Sequence, residues 1–172
     1  MCDDIMDIRI RPVDRDDEEI DNVKQFLYSH ILQEYGIGPT PKFHYDIEAI
    51  EDYYLIPENN NFFIALDGGE IVATAAIRAY DVDYNLFKDE YSKEDTASIW
   101  RLMVDKEYRR HGLARKLVET MENFAKDTGY SKIYLHTHRY LEAGLSFWQS
   151  VGYEITIEED DHDETTHMIK YL

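Results

Sequence analysis

Ile99-Trp100-Arg101-Leu102-Met103-Val104-Asp105-Lys106-Glu107-Tyr108-Arg109-Arg110-His111-Gly112-Leu113-Ala114 holds the transition around which the rest of the chain is arranged. Ile99 to Val104 reads as a buried strand. Gly112 to Thr128 is the clearest helix, because Leu113, Ala114, Leu117, Val118, Met121, Phe124 and Ala125 repeat at helical spacing and Gly129 stands where a C-terminal glycine belongs. Between them, Lys106, Arg109, Arg110, Arg115 and Lys116 crowd five cations into 11 positions, opposed only by Glu107. A strand running through such a turn into a helix offers an anion free backbone N–H groups and the positive end of the helix dipole. Gly112 lets the main chain approach phosphate oxygens, and Ala114 keeps the first turn narrow. The same composition also suits a solvated helix start. Neither G-x-G-x-x-G nor G-x-x-x-x-G-K-[ST] is present.

Outward from this stretch, periodicity assigns the remaining elements. Asp7 to Val13 alternates as a strand, and Asp14 or Asp16 can cap a helix whose stripe is Ile20, Val23, Phe26, Leu27, Ile31 and Leu32. Gly36 to Pro41 breaks it, and a second helix is expected from Asp46 to Leu55 with Ile47, Ile50 and Tyr54 on one face. Phe62 to Leu66, the turn Asp67-Gly68-Gly69-Glu70, and Ile71 to Tyr80 form a hairpin. Asp81 to Asp95 reads as a loop, Ser131 to Thr137 as a strand and Leu141 to Ser150 as a helix. A last hairpin pairs Tyr153–Ile157 with Thr165–Leu172. The order β-α-α-β-β-β-α-β-α-β-β predicts an α/β fold. It is a central, twisted, mixed sheet of about seven strands flanked by about four helices, forming one domain over residues 1–172.

Composition narrows the function classes. The 172 residues carry 18 Lys and Arg against 36 Asp and Glu, a formal charge of −18. Phosphate backbones need a basic face, so nucleic acid is excluded as a general partner, and an electrostatic membrane anchor is disfavoured. With 44% hydrophobic residues the chain can build a core. The opening MCDDIMDIRI is acidic where a signal peptide is basic and then apolar, and Cys2 is the only cysteine. A soluble, cytoplasmic protein with no metal is the expectation.

Arg109-Arg110-His111-Gly112-Leu113-Ala114 resembles the [Q/R]-x-x-G-x-[G/A] motif of the GNAT superfamily of acyl-CoA-dependent N-acetyltransferases. Ile99 to Val104 looks like that family's fourth strand, and Gly144-Leu145-Ser146-Phe147-Trp148-Gln149-Ser150-Val151-Gly152-Tyr153 is similar to its second signature. The element order also matches from end to end. The resemblance implies acetyl-CoA as cosubstrate. The main chain at Leu102, Met103 and Val104 would hydrogen-bond the pantetheine arm, as an added strand does. The N–H groups of Arg110, His111, Gly112, Leu113 and Ala114 would hold the pyrophosphate, with charge from Arg109 and Arg115. The fourth and fifth strands would splay apart towards Val104 and Thr137. The amine would attack the thioester directly, in a ternary complex.

The catalytic pattern departs from the family's. An ammonium acceptor must lose a proton, and the departing thiolate gains one. Trp148 stands where many relatives carry an acidic Tyr, Ser98 where some carry a basic Glu, and Leu141 where an Asn is usual. Trp148 would then pack against pantetheine. Tyr134, His136 and His138 alternate along one strand face and Tyr140 follows; His138 and Tyr140 are the candidate proton-moving residues, beside the plainer reading that all four are ordinary sheet residues.

Glu158-Glu159-Asp160-Asp161-His162-Asp163-Glu164 has six carboxylates in seven positions, a charge that could draw a cationic amine and that equally suits a solvated loop. Asp81, Asp83 and Asn85 have the first spacing of a calcium loop, but Leu86 and Ser92 stand where Gly and Glu are required. The expected function is acetyl transfer to a primary amine of a small molecule or peptide. A non-catalytic acetyl-CoA sensor and a transferase of longer acyl groups are the alternatives, and a homodimer is compatible with either.

Overall fold

Asp16 starts the first helix by accepting the Glu19 N–H at 3.0 Å. Gly36 ends it in the left-handed conformation (φ 68°), where its own N–H reaches Leu32 O at 2.9 Å. The computed structural model describes residues 7–81 and 90–172. Cys2 and most of the calcium-like spacing, from Asp83 to Leu86, lie outside the described residues. In order the elements are β1 (Ile8–Pro12), α1 (Asp17–Tyr35), α2 (Pro41–Glu48), a π-helical turn (Glu51–Leu55), β2 (Asn61–Asp67), β3 (Glu70–Ala79), β4 (Thr96–Val104), a 3₁₀ turn (Lys106–Tyr108), α3 (Leu113–Thr128), β5 (Lys132–His138), α4 (Glu142–Ser150), β6 (Glu154–Glu158) and β7 (Thr165–Tyr171).

The seven strands form one mixed sheet in the order β1-β2-β3-β4-β5-β7-β6. β1 with β2, β2 with β3, β5 with β7 and β6 with β7 pair antiparallel, and β4 pairs β5 in parallel. The α/β class, the strand number and the element order are those the sequence predicts. The parallel ladder is short: Thr96, Ala97 and Ser98 face Lys132, Ile133 and Tyr134, and the register stops there.

Two expectations need correction. Leu32, counted in the α1 stripe, is 55% exposed, and His30 takes the inward place, since 27, 30 and 31 keep the helical period and 32 departs from it. The second helix begins at Pro41, whose fixed φ suits a first helical position, and has become a π turn by Glu51. Ile47, Ile50 and Tyr54 are nevertheless all buried.

The described residues fall into two compact units, one drawn from Met1–Arg78 with Arg101–Glu119 and the other from Ala79–Trp100 with Thr120–Leu172. In the first, β2 and β3 are buried on both faces from Phe62 to Ala65 and from Val72 to Arg78, and Leu27, Ile31, Ile47 and Tyr54 join their core. In the second, Ile133, Tyr134, Leu135, Met168, Ile169 and Tyr153 are buried with Met121 and Ala125. Among the described residues no helix is long and apolar enough to cross a membrane.

Candidate active site

The basic turn belongs to the first unit and is anchored at both ends. Asp105 donates its N–H to Val72 O at 2.9 Å and accepts the Glu107 N–H at 3.0 Å, which caps the 3₁₀ turn. Its other carboxylate oxygen lies 3.1 Å from His30 Nε2, and His30 Nδ1 reaches Phe26 O at 2.7 Å. Tyr108 donates to Asp67 Oδ2 at 2.6 Å, a bond that pushes its phenol up to about 12. Arg109 donates from Nε to Val104 O at 3.0 Å and pairs with Glu34 at 3.5 Å, so its guanidinium braces the turn.

Arg110 (φ 66°) and Gly112 (φ 79°) then bend the chain in the left-handed region. A left-handed residue costs an L side chain about 1–2 kcal/mol, which Gly112 avoids and Arg110 does not. The Lys116 N–H reaches Gly112 O at 3.1 Å, so Gly112 supplies the first carbonyl of α3. Arg109, Arg110, His111, Gly112 and Arg115 are exposed, Leu113 is buried and Ala114 half-buried. A Cβ built on Gly112 meets nothing within 4 Å, so its missing side chain leaves open space over the turn. This is a braced, exposed, cationic helix start of the kind that takes a phosphate group.

Upstream of the turn, Leu102, Met103 and Val104 are half-buried. Arg101 (φ 53°) interrupts β4, and a network that sequence reasoning missed holds it there. Its guanidinium donates to Asp46 at 2.6 and 3.0 Å and to Phe43 O at 2.7 Å, and Asp46 also accepts from Tyr54 at 2.6 Å. Arg78, 1% exposed, stands over the rings of Tyr45, Tyr53 and Tyr54 at 5.1 to 5.8 Å. Burial pushes the Asp46 carboxyl up, but the Arg101 bonds and charge, the Tyr54 hydrogen bond and the Arg78 charge bring it below the usual carboxylate range.

The candidate proton-moving residues belong to the second unit. His138 donates from Nδ1 to Asp163 O at 2.8 Å, which leaves Nε2 as its lone-pair nitrogen. Its ring stacks on Tyr140, half of which is exposed, at 5.2 Å and 11°. Tyr134, His136 and His138 do share one face, and they are joined there by His167, which the sequence reading passed over. The signal was present: the run Thr165-Thr166-His167-Met168-Ile169 is buried throughout, so a histidine in the middle of a core strand needs partners. Ser98 is buried and accepts the Trp100 indole N–H at 2.9 Å. Trp148 is buried edge-on against Tyr153 at 5.2 Å. Leu141 begins α4 without a side-chain cap. Among the described residues no group of three or more His, Cys, Asp or Glu is arranged to hold a metal ion.

Residues 24–153 match the model of the acetyltransferase (GNAT) family. The chain belongs to that family. Mouse N-acetyltransferase 8 is 30% identical to this GNAT chain over 115 residues, covering 67% of the chain and 48% of its own length. The GNAT chain thus spans about half the length of that curated relative. A GNAT-family acetyltransferase from Staphylococcus aureus MU50 superposes with a TM-score of 0.76 at 21% identity, over 96% of this chain and 99% of its own. YncA, a putative acetyltransferase from Salmonella typhimurium solved with acetyl-CoA, superposes at 0.69 and 14% identity, over 96% and 94%. At such identities the structural likeness establishes the GNAT fold.

Proposed function

We propose that residues 1–172 form one N-acetyltransferase domain that moves an acetyl group from acetyl-CoA to a primary amine of a small molecule or peptide. The observation that carries this reading is the braced turn at Arg110 and Gly112. An exposed helix start with open space above a glycine and clustered cations matches the charge and shape of a pyrophosphate. The acetyl-CoA bound by YncA, which has the same fold, supports the same ligand here.

In the reaction the backbone N–H groups from Arg110 to Ala114 hold the pyrophosphate, with charge from Arg109 and Arg115, and the main chain from Leu102 to Val104 takes the pantetheine. The amine attacks the thioester carbonyl, a C–N bond forms and the C–S bond breaks. Positioning two bound substrates supplies most of the acceleration such a transfer needs. His138 Nε2, its tautomer fixed by the Asp163 carbonyl, is the candidate base, and Tyr140 stacks against it. Trp148 has no proton to give at neutral pH, so the thiolate takes its proton from elsewhere.

The test is CoA release, read with a thiol-reactive dye, against polyamines, amino acids, aminoglycosides and peptide N-termini, beside a no-amine control and Gly112→Trp. Turnover of one amine class that is lost in the variant supports the enzyme. Saturable acetyl-CoA binding with no turnover points to a sensor, and no binding overturns the assignment of the turn. His138→Ala and Tyr140→Phe, assayed from pH 6 to 9, then decide the proton carriers. If both keep wild-type kcat, neither moves the proton.

A further inference from the structure

Within the first compact unit, the C-terminal half of α1 grips the basic turn at two points. His30 Nε2 reaches Asp105 Oδ2 at 3.1 Å, and one helical turn further on Glu34 pairs with Arg109 at 3.5 Å. Asp105 and Arg109 are the residues that begin and end the 3₁₀ turn. Positions 30 and 34 are neighbours on one helix face, so α1 holds both ends of that turn at once. The outer grip is a partly exposed ion pair, of a kind worth little on its own. The inner one is different, because His30 is buried with its ring stacked on Phe26 at 3.9 Å.

Both nitrogens of His30 face oxygens that only accept. Nδ1 lies 2.7 Å from the main-chain carbonyl of Phe26. Nε2 faces a carboxylate whose other oxygen already takes the Glu107 N–H. A neutral imidazole has one N–H and one lone pair, so it satisfies one of these oxygens and turns its lone pair on the other. The imidazolium donates to both. Asp105 is the charged group that faces the ring from the turn. On the ring's own helix Glu34 is engaged by Arg109, and β3 brings to the junction the Val72 carbonyl, which binds the Asp105 N–H at 2.9 Å. The second proton of His30 therefore decides whether Asp105 is tied to α1. Asp105 in turn starts the segment that bends at Arg110 and Gly112 into α3.

We propose that His30 is a positioning residue for the basic turn, acting as an imidazolium through Asp105, and that it couples acetyl-CoA binding to a proton. The inference rests on the acetyl-CoA reading of that turn. Its sign is definite. The tie is complete where the ring holds both protons, and it is lost as pH rises and Nε2 gives its proton to solvent. Acetyl-CoA takes the braced turn and so favours the doubly protonated ring, and that ring favours acetyl-CoA by the same factor. A single substitution separates the proton from the packing. In Asp105→Asn the amide oxygen keeps the Glu107 N–H, while the amide nitrogen donates to the lone pair of a neutral ring, so the tie survives without the second proton.

Acetyl-CoA is titrated calorimetrically into the full chain from pH 6 to 9, as wild type, Asp105→Asn and His30→Gln. Wild type is expected to lose at least about fivefold more affinity across that range than either variant. Titration of the ligand's own phosphates and of the other histidines is common to all three proteins and drops out of the comparison. Wild-type and Asp105→Asn profiles that run parallel overturn the coupling. Independently of any ligand, a long-range ¹H–¹⁵N spectrum of histidine-labelled protein at pH 6 should show His30 protonated on both nitrogens in wild type and on Nδ1 alone in Asp105→Asn. A bare Nε2 in wild type at that pH, or a ring unchanged by Asp105→Asn, also overturns it. Both spectral readings stand even if His30→Gln fails to fold. Absence of acetyl-CoA binding at every pH brings down the reading of the turn and the coupling with it, whereas tight binding that follows the variants' profile brings down the coupling alone.

Discussion

His30 Nε2 sits 3.1 Å from Asp105 Oδ2 and so ties the middle of α1 to the residue from which the basic turn departs. Asp105 is the hub of that junction, since the same carboxylate caps the 3₁₀ turn through the Glu107 N–H and its own N–H is bound to Val72. Removing the carboxylate strands His30, which is 9% exposed, and frees an N–H. Asp105→Ala should therefore cost about 1–3 kcal/mol. For a chain of this length that is a fall in Tm of roughly 3–10 °C. Thermal melts check the stability loss. Acetyl-CoA titration should show weaker binding in the same variant even at temperatures where it is fully folded, because the turn is no longer braced.

Gly112 and Gly129 form a matched pair for separating backbone strain from ligand contact. Both have positive φ, 79° and 104°, and a Cβ at either meets nothing within 4 Å. Alanine at each should destabilise the protein by a similar amount, about 1–2 kcal/mol. Only Gly112→Ala should also weaken acetyl-CoA, by at least about tenfold, because only there does the methyl enter the space a phosphate would fill. Calorimetric titration of both variants decides it, and equal affinities would remove Gly112 from the binding site.

The elements that sequence periodicity exposes are those whose order is local. Helix α3, with its stripe from Leu113 to Ala125, and the hairpin across Gly68 and Gly69 lie close to their expected bounds. The turn is legible for the same reason, since its charge reversal and glycine are contiguous. What sequence reading misses depends on pairs distant along the chain. Asp46 and Arg101 are 55 residues apart, and neither residue type signals burial on its own. His167 meets Tyr134 across 33 residues and is legible only as a histidine in a core strand, without a named partner. The second helix fails differently: its buried residues are correctly picked, but Pro41 starts it early and a π turn resets its period.

Arg101 is held at φ 53° in β4 by the bonds of its own guanidinium to a carboxylate that is itself fully buried. Breaking a buried pair leaves an uncompensated charge, so Arg101→Met and Asp46→Asn should each cost about 3–5 kcal/mol. The pH dependence has a definite sign. Because the folded carboxyl lies below its ordinary value of 3.8, its contribution is full above about pH 4 and is lost as pH falls through the lower folded value. Urea melts of wild type and Asp46→Asn should differ most near neutrality and converge towards pH 3. A gap that widens on acidification would contradict the charged pair.

The acidic hairpin loop divides into carboxylates that build it and carboxylates that face solvent. Asp161 accepts the Thr165 N–H and O–H at 2.8 and 2.7 Å, bonds that hold it below the usual carboxylate range, and Glu159 is committed to His167. Glu158, Asp160 and Asp163 are exposed, and the bond from His138 goes to the Asp163 backbone. Those three side chains can therefore be neutralised without dismantling the loop. If the loop's charge gathers a cationic amine, Glu158→Gln with Asp160→Asn and Asp163→Asn should raise KM for spermidine several-fold at low ionic strength and leave kcat unchanged. The difference should fade as salt shortens the Debye length from about 30 Å at 0.01 M to about 8 Å at 0.15 M. Asp161→Asn, by contrast, should lower Tm whatever the substrate. An unchanged spermidine KM in the triple variant at low salt would leave the loop a structural role alone, through Asp161, Glu159 and the Asp163 carbonyl.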